Sequence, residues 1–247
     1  MPVSIDVIML SLGKTDALMD VTRQTVQSLL ESEDEREIRF KIVVVESNPR
    51  LKPYQYPETV TLYPDTSFGY HKYMNIGLAH THSEYVCLCN NDLTFHPKWA
   101  SEVLKAMEQA PEMLSASTYD ENFHKTEGFA ENALPLEGYM GVLSGWCIFV
   151  KRRIFDIIGK LDENFVFWYC DADYCRSLIK YGVKNYLVSS SKVTHLGSTS
   201  LKTLGRQENK SLTELPRLYY EYKWQHHSWV KYLLARIAYK LQLARKN

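Results

Sequence analysis

The sequence predicts an α/β fold. A mainly parallel sheet flanked by helices is expected over residues 1–200, and a helical, basic extension over residues 201–247. Three observations carry this. Short apolar runs alternate with segments of helical spacing up to residue 200, the pattern of a layered sheet fed by crossover helices. The segment Phe40–Glu46 reads FKIVVVE, nearly all apolar and β-branched, so that strand should be covered on both faces. From Ser211 onward the chain is rich in aromatic and basic residues and has no period-two pattern, which points to helices.

Taken in order, Ile5–Leu12 is the first apolar run. Gly13 breaks it, and helical spacing follows from Asp16, a suitable N-cap, to about Ser32. Glu46-Ser-Asn-Pro ends the FKIVVVE strand, and Thr59–Tyr63 reads as a third, short strand. Tyr70–Thr81 has helical spacing, and Tyr85–Cys89 is the next strand. Pro97 suits the first turn of a helix running to about Ala110. Met113–Thr118 reads as a strand, and residues 119–138 as an irregular polar stretch with EGFAENALP as a loop. Gly138–Val150 is apolar again. Arg152–Ile158 and Asp171–Tyr181 have helical spacing, Lys184–Ser189 is a short strand, and Val193–Ser200 leaves the sheet in turn residues.

A chain of 247 residues allows one large α/β domain with or without an appendage. Its 45% apolar and 23% charged residues are an ordinary soluble balance. The net charge is zero, yet residues 201–247 hold ten Lys and Arg against three Glu, so a basic tail follows an acidic body. No run approaches the ~18 apolar residues of a membrane span. The start, MPVSIDVIMLSLGKTD, lacks the basic region and cleavage site of a signal peptide. The five cysteines (87, 89, 147, 170 and 175) lie in apolar or aromatic runs with no paired CxxC framework. A reduced, cytoplasmic setting with small core thiols is therefore expected more than a zinc site.

Four clusters carry polar chemistry. The strand at Tyr85 ends in Asn90-Asn91-Asp92. A bare carboxylate is costly in a core, so Asp92 should sit where the strand emerges, at the edge where open α/β sheets bind ligands. It could grip a divalent cation that in turn grips a phosphate, or the three residues could cap a turn. The segment Phe165–Arg176 delivers Asp171 and Asp173 from an aromatic wall to a helix start. Either is a candidate general base, and both also suit the positive end of a helix dipole, with Arg176 as an ion partner. His195 follows an apolar run and precedes Gly and Ser, where it could complete a metal site or serve as a structural histidine. In Ser67–Gly77, Gly69 permits a tight approach and Lys72 and Asn75 share one face of a helix start, suited to a phosphate or nucleoside. Neither GxxxxGK[ST] nor a GxGxxG after the first strand occurs, which disfavours P-loop enzymes and dinucleotide oxidoreductases.

In this order the clusters resemble the family 2 glycosyltransferases of GT-A fold. Val43-Val-Val-Glu46-Ser-Asn stands where that family commonly reads VVDNGS. Ser67–Gly77 is similar to its NxGFxxxxNxG stretch, and Asn90-Asn91-Asp92 to the NND form of its DxD motif. Gly145–Arg152 loosely matches GxxxLxxR, Gly159–Phe165 matches GxxDExFF, Cys170–Arg176 matches EDxDxxxR, and His195–Ser200 matches HxxGSxS. The similarity covers roughly residues 3–200.

The resemblance implies a GT-A-like sheet and an inverting transferase that uses a nucleoside-diphosphate sugar, most readily a UDP-sugar. It implies that Ser11 and Leu12 line the nucleobase through their backbone, and that Glu46 holds the base or ribose. Lys72 and Asn75 would border the nucleotide, with Asn91 near the ribose or ion. Asp92 and His195 would bind Mn²⁺ or Mg²⁺. Asp171 would be the catalytic base, supported by Asp173. Two positions depart from the family pattern: Cys170 replaces a Glu, and Glu46 replaces an Asp with one methylene more.

Trp146, Phe167, Trp168 and Tyr169 are acceptor-side candidates, since aromatic faces stack on sugars and equally on bases. A glycan or lipid-linked glycan is favoured as acceptor over a hydroxylated base in DNA. The tail RLYYEYKWQHHSWVKYLLARIAYKLQLARK could lie on an anionic membrane surface, track a phosphate backbone, or pack as a helical appendage with solvated bases. The last is the expectation for its structure. A non-catalytic nucleotide-sugar-binding module stays open because of Cys170, and a metal-dependent phosphohydrolase because of the Asp-rich clusters.

Overall fold

A computed structural model describes residues 1–139, 141–143, 145–197, 206–226 and 228–244. Its centre is β1 (Val3–Ser11), which pairs in parallel with β2 (Ile38–Glu46) on one side and β4 (Tyr85–Asn90) on the other. A short β3 (Val60–Leu62) extends the parallel set beyond β2. Beyond β4 the sheet becomes mixed. β8 (Cys147–Lys151) runs antiparallel to β4 and to β6 (Ser115–Tyr119), and β6 runs parallel to β9 (Asn185–His195). The two-residue β7 (Leu136–Glu137) also pairs with β9. The expected parallel sheet is therefore its first half. The second half mixes directions because the 120–146 segment delivers β8 with no long crossover helix between β6 and β8.

Alternation along the central strands feeds two cores. Ile5, Val7 and Met9 of β1, with Ile42 and Val44 of β2, face one layer. That layer is closed by α1 (Asp16–Glu31) through Val26 and Leu29, and by α3 (Trp99–Gln109) through Trp99, Val103 and Met107. Ile8, Leu10, Val43 and Val45 face the other layer, against Tyr73 and Met74 of α2 (Tyr70–Ala79) and Tyr174 and Leu178 of α6 (Cys170–Lys180). Double coverage is what the uninterrupted apolar runs require. The five cysteines are buried free thiols, and the Cys87 and Cys147 sulfurs lie 3.7 Å apart, beyond disulfide distance.

The termini of elements hold most of the surprises. α1 is capped by Thr15, whose hydroxyl accepts from the Leu18 amide at 3.3 Å, so Asp16 is the first helical residue and not the cap. Pro97 does not open α3. The helix starts at Trp99, after Lys98 in the left-handed region, and Glu33 Oε1 accepts from the Ala100 and Ser101 amides at 2.8 and 2.9 Å. That cap comes from across the fold, which local spacing cannot reveal. Residues 121–124 form a short helix, α4 (Glu121–His124), inside the stretch expected to be irregular. α5 (Ile154–Ile158) precedes α6.

The largest departure concerns the end of β9. The strand continues through His195, shifts register against β6 between Val188 and Lys192, and pairs antiparallel with an unexpected β5 (Leu93–Phe95). Val193–His195 therefore stays in the sheet instead of leaving it; Ser198–Ser200, the end of the same expected turn, lie outside the described residues. The chain closes with α7 (Arg206–Trp224) and α8 (Trp229–Ala244), the helices expected of the tail. Among the described residues no helix is long and apolar enough to cross a membrane.

Candidate active site

The carboxyl ends of β1 and β4 open into a cavity of about 540 Å³. β4 delivers Asn90, Asn91 and Asp92 to its wall, and the β5–β9 pairing brings His195 against them. Leu93 lies opposite His195 in that register, and the Leu196 amide donates to the Asp92 carbonyl at 2.9 Å. His195 Nε2 thus stands 3.2 Å from Asp92 Oδ1. The residue is held from two further directions. Its backbone amide donates to Asp120 Oδ2 at 2.6 Å, and Trp146 stacks on its ring with centroids 5.0 Å apart and planes 9° apart.

Asp171 enters from the opposite layer, in the first turn of α6. It packs so closely on Gly145 that a Cβ there would lie 2.8 Å from the Asp171 Cβ. Asp171 Oδ1 accepts from the Ala172 amide at 2.8 Å. The same cavity is lined by Ser11 and Leu12 at the end of β1, and by Trp146 and Trp168. Trp168 is 40% exposed at the mouth, as a stacking platform would be.

Seven other residues singled out from the sequence do not line this cavity. Glu46 is buried at the end of β2. Its Oε1 accepts from the Gly13 and Asn48 amides at 3.0 and 2.7 Å, and its Oε2 from the Tyr56 hydroxyl at 3.0 Å. It thereby shapes the loop after β1. Lys72 Nζ turns back to the Ser67 carbonyl and hydroxyl, and Asn75 Nδ2 donates to the Leu161 carbonyl at 2.8 Å and to Glu163 Oε1 at 3.1 Å. Gly69 lies in extended backbone, and a Cβ there would meet Lys72 Cβ only at 3.4 Å, so the fold itself does not require glycine there. Asp173 is buried, and its Oδ1 accepts from Lys223 Nζ and Trp224 Nε1 of α7, both at 2.7 Å. Tyr169, left-handed at φ 68°, packs on Tyr220 with centroids 5.2 Å apart. Arg176 donates to the Tyr220 hydroxyl at 3.1 Å instead of pairing with an Asp.

Two residues of the wall went unmarked in the sequence. Tyr70, whose phenol burial holds well above its usual range, lies 3.3 Å from both Asn90 Oδ1 and the Gly145 carbonyl. His71 is buried, its Nδ1 3.0 Å from the Asp162 carbonyl, and burial pushes its imidazole down toward the neutral form. Their position at the start of α2, directly after the glycine of the Ser67–Gly77 cluster, was the available signal.

Among the described residues no group of three or more His, Cys, Asp and Glu could hold a metal ion. Asp92 and His195 are nevertheless a fitting pair. His195 Nε2 is buried 3.2 Å from Asp92 Oδ1 yet makes no well-aligned hydrogen bond, so a nitrogen and a carboxylate oxygen stand side by side as a donor pair for a ligand. An octahedral divalent ion with oxygen ligands at ~2.1 Å sets neighbouring ligands about 3 Å apart and is commonly held by one or two protein groups plus phosphate oxygens and water.

A family model described as glycosyl transferase family 2 matches residues 19–155, more than half of the chain. The chain belongs to glycosyl transferase family 2. The matched segment contains Glu46, Asn91, Asp92 and Trp146, while Ser11 precedes it and Asp171 and His195 follow it. Over 86 residues this family 2 chain is 29% identical to the dTDP-rhamnosyl transferase RfbF of Shigella flexneri, covering 34% of this chain and 27% of that protein. Its fold is similar to that of GalNAc-T7 crystallised with UDP, GalNAc and Mn²⁺, with a TM-score of 0.63 at 11% identity, over 89% of this chain and 50% of that one. At that identity the likeness is one of fold, a GT-A-like sheet. The chain spans half or less of the length of either relative.

Proposed function

We propose that the protein is an inverting glycosyltransferase that moves a sugar from a nucleoside-diphosphate sugar to an acceptor hydroxyl on a glycan or lipid-linked glycan. One observation carries the reading: a carboxylate at the start of α6 and the Asp92–His195 pair share one cavity at the carboxyl edge of the sheet. The neighbour crystallised with UDP and Mn²⁺ and the relative named for dTDP-rhamnose support a nucleotide donor.

Asp171 is the base that takes the proton of the acceptor hydroxyl as that oxygen attacks the anomeric carbon, so the configuration inverts in one displacement. Ser11, Leu12 and Asn91 border the nucleotide. Glu46 acts at one remove, by holding the Gly13 loop in which the base rests. Lys72 and Asn75 likewise shape the nucleotide side from behind the wall. Trp146 and Trp168 present faces to the acceptor, with Tyr169 setting the turn that leads into α6. Asp173 secures α6 against α7 and so supports Asp171 indirectly. A divalent ion, Mn²⁺ or Mg²⁺, held by Asp92 and His195 would supply positive charge to a departing diphosphate.

Thermal-shift titration with UDP- and dTDP-sugars, with and without Mn²⁺, tests the donor, because a ligand of the native state raises its melting temperature. Asp171→Asn should abolish transfer while leaving that metal-dependent shift intact, and an active Asp171→Asn enzyme would overturn the assignment. Asp92→Ala should weaken the shift itself.

A further inference from the structure

The second terminal helix has a face that the site does not use. Val230, Leu234, Ile237 and Leu241 of α8 fall at i, i+4, i+7 and i+11, a single stripe along the helix. All four are solvent-exposed, from 46% at Ile237 to 62% at Leu234. The opposite side of α8 is where it packs on the protein. The Tyr232 ring stacks on Tyr222 at 5.1 Å and 17° and lies 5.9 Å from Tyr219, both on α7. The stripe is thus the outward face of a helix already docked by its other side.

The charges of α8 agree with this orientation. The helix carries Lys231, Arg236 and Lys240 and no acidic residue. At 100° per residue Lys231 lies along one edge of the stripe and Lys240 along the other, while Arg236 lies farther round, beside Tyr232. All three are exposed. Trp229, 57% exposed, stands at the amino end of the helix, a residue type suited to the headgroup level of a bilayer.

From this stripe and its basic borders we infer that α8 lies flat on an anionic phospholipid surface, with Val230, Leu234, Ile237 and Leu241 in the acyl boundary and Lys231 and Lys240 among the headgroup phosphates. A nucleic-acid backbone would satisfy the bases and leave the apolar stripe in water. A second copy would cover the stripe, yet it would set its own all-basic edges against these. An anionic bilayer satisfies both features at once. At 16 residues α8 is about 24 Å long, suited to lying in the interface plane and too short to span. The inference stands on α8 alone and does not depend on the transferase reading. It would hold the protein at a membrane surface with the cavity one helix away, since Leu212 of α7 lines that cavity.

The test is sedimentation of the full chain with vesicles of phosphatidylcholine, with and without phosphatidylglycerol. Binding is expected to the anionic vesicles and should fall with added salt. Lys231→Glu with Lys240→Glu should lower it by more than about tenfold, because each basic side chain near such a surface is worth about fivefold. Leu234→Asp with Ile237→Asp should abolish it. Both positions are exposed, so circular dichroism and the melting temperature should be unchanged. Equal vesicle binding by that variant and the wild type would overturn the inference. So would no vesicle binding at all, whether ultracentrifugation then reveals a dimer that the same substitutions dissolve, or the chain retains duplex DNA through its bases.

Discussion

At Gly145 the backbone passes so near Asp171 that one added methyl decides whether the site keeps its geometry. An alanine Cβ there would stand 2.8 Å from the Asp171 Cβ and 3.2 Å from its Oδ2. The atom crowded is next to the α6 backbone, so relief requires the start of that helix to move. Gly145→Ala should therefore cut kcat by about 10- to 100-fold, the cost of a displacement of order 1 Å, with little change in donor KM or melting temperature. A variant with normal kcat would show that Asp171 need not sit where it does. This glycine also marks how far single residues can be read from sequence. Asp92 and Asp171 stand out because a carboxylate after an apolar or aromatic run must emerge somewhere useful. Gly145 is marked only as the first residue of a loose GxxxLxxR match, and its constraint, a contact with a residue 26 positions away, has no local sign. Glu46 and Asn75 show the converse. Their type suggests ligand binding, while their hydrogen bonds go to Gly13, Asn48, Tyr56, Leu161 and Glu163 of the protein itself.

Helix α7 is held to the body by a compact polar latch. Lys223 Nζ donates to Asp173 Oδ1 at 2.7 Å and to Asp162 Oδ2 at 2.8 Å, Tyr219 adds a bond to Asp162 Oδ2 at 3.0 Å, and Trp224 adds one to Asp173. The Asp173 side chain is 3% exposed and that of Lys223 is 26%. Removing Lys223 would leave a buried carboxylate with one neutral donor. Lys223→Ala should accordingly lower stability by about 2–3 kcal/mol, the low end for breaking a buried pair because the lysine is partly wet. Urea unfolding would measure it, and Asp173→Asn in the same chain should restore part of the loss by removing the orphaned charge. If the double variant is no more stable than Lys223→Ala, the latch is packing and not charge. The helices themselves were legible from composition; this latch was not, because it joins Asp162 and Asp173 to residues some fifty positions on.

Across the whole molecule, what could be read in advance was whatever repeats locally. The doubly covered strands β1, β2 and β4 and the helices between them follow from runs and spacing. The β5–β9 pairing does not, since three-residue strands carry too little pattern, yet it is this pairing that sets His195 beside Asp92. The fold also buries two histidines in neutral form, and that has a consequence for stability. Burial pushes both His71 and His124 down from their usual range. His124 Nδ1 accepts from the Asp120 amide at 2.9 Å, a role that protonation would destroy. A histidine whose folded affinity for protons is depressed leaves the unfolded chain to take them up first. Its contribution is complete above the unfolded value of ~6.5 and is lost as pH falls below it, at up to ~1.4 kcal/mol per pH unit for each group. Asp162 is also shifted, downward, but titrates well below this window. Urea unfolding should therefore show lower stability at pH 5.5 than at pH 7.5. His124→Asn keeps an acceptor for the Asp120 amide and cannot take up a proton, so it should flatten that dependence. An unchanged pH slope in His124→Asn would assign the acid sensitivity elsewhere.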